Sequence, residues 1–243
     1  MSKKQIILYN NPIKELDIRL EDYLVPTKTL LPDWWLSINP SQKVDNNTKS
    51  NIRRCPSFLE LFHKTYTLIS PCDMELEISR FGFKANMRDN NWFNLGTHSS
   101  YIEGESQFGD KWDKDLVNIK FSPPISLSPK NKVTRFTYMP CFYHNPRPDL
   151  IVAPGTFELA PGMSLELNIN TFVDFKGFPK THVKNIEVKS GDPLATLMIS
   201  DDMVKFEKAE IKRRPEKKLV GNHLSELKNH KPKQCPFSRL WKN

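Results

Sequence analysis

Three sets of side chains carry the chemically active groups of this sequence: six histidines, two close pairs of aspartates, and one dense run of cations. A jelly-roll oxygenase places His-x-Asp or His-x-Glu on a strand, so that two neighbours on one face grip the iron, and adds a later His. None of His63, His98, His144, His182, His223 and His230 is followed two positions later by an acid. There is no Gly-x-Ser-x-Gly elbow for a nucleophilic serine and no glycine-rich phosphate loop. Asp201-Asp202 follows a strand-like run and reads as its turn. Asp113 and Asp115 share a polar loop with Lys111 and Lys114 and read as surface charge. Cys55, Cys72, Cys141 and Cys235 are widely spaced with no CxxC pair, so no zinc site is expected and the thiols read as reduced, in a cytoplasmic setting. No cofactor is implied.

The cations stand out. Lys212, Arg213, Arg214, Lys217 and Lys218 place five positive charges within seven residues. Such a cluster binds phosphates by counterion release, without reading sequence. It equally suits an acidic protein partner or an anionic membrane surface, and a solvated tail that aids solubility is the plain alternative. Trp34 and Trp35 are adjacent indoles, able to stack bases or sugars or to plug the end of a sandwich. Trp241 closes an apolar stretch that could dock on the body or on a partner.

The stretch 185–199, NIEVKSGDPLATLMI, reads as strand, tight turn, strand. A Gly-x-Pro-Leu-like turn feeding an apolar strand resembles one in the trimeric nucleotide pyrophosphatases of the dUTPase type. The resemblance stops at the turn. No acid sits in a glycine-rich hairpin to activate water, and the C-terminal stretch is lysine-rich rather than a glycine-rich arm. A hairpin that needs Gly191 and Pro193 for its geometry accounts for the stretch.

The elements that must position these groups are short. Nineteen Pro against nine Gly in 243 residues argue against long helices, because proline removes a donor and clashes with the preceding turn. No run of 18 apolar residues suggests a membrane helix, and the four apolar residues at 6–9 are too few for a signal peptide. Asp33 is placed to cap a helical turn over 33–38, and Pro56 opens a short helix over 57–64. Strand alternation follows at Tyr66 and Leu68, at Met74, Leu76 and Ile78, at 116–120 and at 133–139. A run around Trp92 and Phe93 is also strand-like. Met163, Leu165, Leu167 and Ile169 give the clearest alternation. Short strands punctuated by Pro and Gly predict an all-β antiparallel sandwich, jelly-roll-like, with minor helix.

Charge divides the chain. Residues 1–204 hold 24 Lys/Arg and 24 Asp/Glu, whereas 205–243 hold 12 against 4, which is the whole net charge of +8. The expected organisation is a sandwich domain over 1–204 and a basic tail over 205–243.

A set of features in fixed order resembles a family of uncharacterised proteins from tailed bacteriophages, including cyanobacterial phages. The set is the Pro32-Asp33-Trp34-Trp35 segment, Arg53-Arg54-Cys55-Pro56-x-Phe58, and Tyr66 through Pro71-x-Asp73. Ile119-Lys120-Phe121 before a Pro pair and Gly191-Asp192-Pro193-Leu194 complete it. The resemblance spans about residues 30 to 200. It departs at Pro123-Pro124-Ile125, where the family usually has a Trp after the proline, and in the basic tail. It implies a viral origin and a β-sandwich, and it supplies no catalytic residue. The resulting expectation is a non-enzymatic virion or assembly component, oligomeric or part of an assembly, in the virion or host cytoplasm. Its partners are phage or host proteins, with nucleic acid through the tail. A host-factor-binding protein and a hydrolase with a site scattered in sequence are the alternatives.

Overall fold

The structure is a computed structural model and describes residues 5–10, 19–39, 51–88, 94–95, 115–123, 125–141, 143–144, 149–200 and 204–209. The described strands form four sheets. One is five-stranded and runs β11 (Gly155–Leu159), β9 (Thr134–Met139), β15 (Pro193–Ile199), β3 (Thr65–Ile69), β2 (Leu24–Pro26). Another is three-stranded, β14 (Lys184–Val188), β4 (Asp73–Ser79), β5 (Gly82–Arg88). Two more are four-stranded. The first is β12 (Leu165–Glu166), β8 (Ser126–Pro129), β1 (Gln5–Asn10), β16 (Val204–Lys208). The second is β10 (Ile151–Val152), β13 (Ile169–Asp174), β7 (Leu116–Ser122), β6 (Asn94–Leu95). All four contribute to one apolar core, in which Ile7, Leu68, Leu76, Ile119, Phe136 and Val173 are buried. The architecture is the expected antiparallel β-sandwich. The helix expected at 57–64 is α2, Pro56–Lys64.

Alternation explains the layers. In β4 the exposed Asp73, Glu75 and Glu77 alternate with buried Met74, Leu76 and Ile78, because successive strand side chains point to opposite faces. In β13, Ile169, Thr171 and Val173 are buried and their neighbours are less so.

The turn at 189–192 departs from a hairpin. β14 pairs with β4 and β15 pairs with β3, so the two strands flanking the turn lie in different sheets. The segment 70–72 crosses between the same sheets in the opposite direction. The two crossings are bonded to each other. Gly191 N donates to Ser70 O at 2.7 Å, Ser70 N donates to Asp192 O at 2.9 Å, and Ser190 N donates to the Asp73 carboxylate at 2.8 Å. β3–β4 and β14–β15 thus form one antiparallel ribbon that bends through a corner. Its register slips between Pro193 and Ala195. An irregularity is where a strand tolerates a proline.

Three further expectations are corrected. The alternation over 163–169 is not one strand. It breaks after Glu166, where Asn168 N turns back onto Glu166 O, and the chain passes from β12 in one sheet to β13 in another. The pattern survives the break because Leu167 and Ile169 both reach the core. Asp33 is the first residue of α1 (Asp33–Ser37) and makes no side-chain cap, and Pro32 holds the cap position. The boundary at 204/205 cuts through β16. Val204–Lys208 pairs in parallel with β1, and the compact unit runs Met1–Ala209. Three charged side chains in β16 disguise it as tail, while the half-buried Phe206 ring meets Tyr66 edge-on at 5.0 Å. On its surface, hydrogen bonds from Lys205 and Lys130 hold the Glu207 carboxyl below its ordinary range. The run around Trp92 and Phe93 lies outside the described residues.

Two substitutions test this description. Phe206→Ala in the full chain is expected to cost about 2 kcal/mol, read as a melting temperature lower by roughly 4–8 °C. Gly191 has φ +85°, and the space a side chain would enter there is open. Gly191→Ala therefore loses only backbone energy, about 1–2 kcal/mol by urea unfolding.

Candidate functional site

The two tryptophans have different fates. Trp35 is 2% exposed and sits in an aromatic cluster. It stacks on Phe58 at 5.7 Å and meets Phe62 edge-on at 5.1 Å. α1 and α2 bring these rings together, and Tyr143 and His144 close the cluster against Phe58 and Phe62. Arg53 fixes the chain leaving α1 by donating to Ile38 O at 2.7 Å. Trp35 is a packing residue. Trp34 is 40% exposed, and its indole N–H donates to Tyr143 O at 2.8 Å, which leaves part of one ring open to solvent. Trp241 and all five cations of the 212–218 cluster lie outside the described residues, as do Asp113, Asp201 and Asp202.

Cys141 and Asp115 resemble reactive groups and are tied up. Burial pushes the Cys141 thiol up to about 11, against a smaller opposing effect of its 3.4 Å hydrogen bond with Thr196. A thiol so protonated is a poor nucleophile. The Asp115 carboxylate accepts from Arg80 Nε at 2.9 Å. The polar groups of the 189–192 turn are consumed in the ribbon corner, including Asp192, which accepts from Lys189 N at 2.8 Å. Among the described residues no group of three His, Cys, Asp or Glu side chains is placed to hold a metal. No described helix is long and apolar enough to cross a membrane.

Two arrangements were not singled out in the sequence. The first is a clamp. Arg80, in the turn between β4 and β5, donates to the backbone carbonyls of Phe175, Phe178 and Pro179 at 2.6, 3.2 and 2.8 Å. It fixes the loop leading to β14. On that loop the Phe178 and His182 rings stack at 4.4 Å, and Lys184 Nζ lies 4.7 Å from the Phe178 centroid. The alternation of Lys with Phe and His from 176 to 184 is the sequence signal that would have found it. The second is a set of amides on β7, on β13 and just before β13. The carboxamide oxygens of Asn118, Asn168 and Asn170 are buried there without a hydrogen-bond partner among the described residues. Each such acceptor costs about 1–3 kcal/mol unless a donor reaches it.

No family model matches the chain, and no curated protein matches it. Among solved structures it is similar to a mutant dUTPase from phage phi11 of S. aureus, with a TM-score of 0.26 and 14% identity, over 77% of this chain and 94% of that one. A likeness at that level assigns no activity.

His144 makes the cluster pH-sensitive. It is 7% exposed, is hydrogen-bonded to the Leu30 backbone, and leaves Nε2 without a partner among the described residues. Burial holds its pKa below the ordinary 6.5, against a smaller opposing effect of the Leu30 bond. Below pH 6.5 the unfolded chain therefore takes up more protons than the folded one, and stability falls as pH drops. Urea midpoints are expected to decline between about pH 7 and 5.5, with a slope of at most about 1.4 kcal/mol per pH unit from this group. His144→Phe should flatten that decline.

Proposed function

We propose that this chain is a phage protein that works by binding rather than catalysis, as a virion or assembly component. Its body makes protein contacts, and its basic C-terminal stretch meets nucleic acid. The observation that carries this reading is the segregation of charge. With the boundary at Ala209, residues 1–209 hold 26 Lys/Arg and 25 Asp/Glu, and residues 210–243 hold 10 against 3. A body near neutrality suits packing against other subunits, and a stretch of net +7 suits a polyphosphate. The virion or the host cytoplasm is the corresponding location.

The test is salt dependence. Full-length protein is expected to bind duplex DNA with an affinity that falls steeply with salt. Replacing Lys212, Arg213, Arg214, Lys217 and Lys218 by Ala should flatten the log–log slope by about 4.5, from five phosphate contacts at ~0.9 each. An unchanged slope would overturn the tail's role.

A further inference from the structure

One end of the β14-β4-β5 sheet presents exposed rings and cations. Ser79 pairs with Gly82, so β4 and β5 are joined by a two-residue turn, Arg80-Phe81. Such turns favour Gly, Asn and Asp, so turn geometry explains neither side chain. Arg80 reaches inward and clamps the 175–179 loop. Phe81 does the reverse and is 81% exposed. A Phe left in water forgoes about 2 kcal/mol of burial, which makes packing an inadequate reason for this ring. Phe81 and Val183 line one shallow groove of about 270 Å³ with Phe83, Lys84 and Glu77, and the Glu77 carboxylate lies 3.6 Å from Lys84 Nζ.

The clamped loop adds a pattern. Lys176, Phe178, Lys180, His182 and Lys184 alternate cation and ring at every second position. The stacked Phe178–His182 pair, with Lys184 against it, holds two of these rings in place. Lys176, Phe178 and Lys180 are exposed.

We infer that this end of the sheet is a contact site for single-stranded nucleic acid. Phe81 offers an open face for a base to stack on, and Lys176 and Lys180 meet phosphates. An open ring beside exposed cations suits a strand whose bases are free to stack, whereas a duplex hides its base faces. A lipid surface fits less well, because inserting the rings would draw the interleaved ammonium groups toward hydrocarbon. The inference shares the nucleic-acid partner of the proposed function but does not depend on the tail.

The experiment uses the full chain and fluorescence anisotropy with oligo(dT) of about 16 nucleotides and a duplex of equal length. Phe81→Ala, at so exposed a site, leaves the thermal melt unchanged. It is expected to weaken oligo(dT) binding about 5- to 100-fold while changing duplex binding less than about twofold. The double variant Lys176→Ala/Lys180→Ala should lower the single-strand salt slope by about 1.4. If the tail variant binds as wild type does while Phe81→Ala loses oligo(dT), the site stands and the tail reading falls. If neither body variant alters oligo(dT) binding while the tail variant abolishes it, the site is overturned and the tail reading stands. It is also overturned if the chain ignores oligo(dT) but binds phosphatidylserine vesicles in a Phe81-dependent way.

Discussion

Gly191 and Ser70 hold two strands of chain together where both leave one sheet for another. Their reciprocal bonds, with the grip of Asp73 on Ser190 N, let the β3–β15 pairing continue into β4–β14. Backbone groups at a bend in a ribbon lose their ladder partners, and buried ones must find others. Here each crossing satisfies the other. Met74, Leu76 and Ile78 on one side of the bend and Leu68 on the other then reach the same core. Without that mutual satisfaction, the five-stranded and three-stranded sheets would have no shared path.

Much of this was legible in the sequence, because burial on one face writes itself as alternation. β4 reads directly from Met74, Leu76 and Ile78, and α2 from Pro56 and the apolar residues after it. What local pattern does not carry is the identity of a strand's partner. The residues around Gly191 look the same whether the flanking strands pair with each other or with β4 and β3. Leu165, Leu167 and Ile169 alternate through a break because the core lies on the same side of both pieces. β16 escaped for the opposite reason, since Lys205, Glu207 and Lys208 outnumber its two apolar residues.

The candidate groups divide similarly. Adjacent indoles announce an aromatic function, but only the fold separates Trp35, sealed under α2, from Trp34, tethered at the surface. The segment 176–184 alternates Lys with Phe and His. Its importance depends on Arg80, nearly a hundred residues earlier, reaching across to its carbonyls. Long-range hydrogen bonds of this kind leave no mark in local composition.

The parallel pairing of β1 with β16 has a consequence for how the protein is made. Gln5 lies beside Val204, so β1 leaves the ribosome about 200 residues ahead of the strand it pairs with. At about 5–20 residues per second that lead is roughly 10–40 s. The other neighbour of β1, β8 at Ser126–Pro129, also arrives late. An early apolar strand with both edges open is a hazard for association between nascent chains. Closure of that sheet is a late, non-local step, and the body completes its fold only once synthesis has passed Lys208.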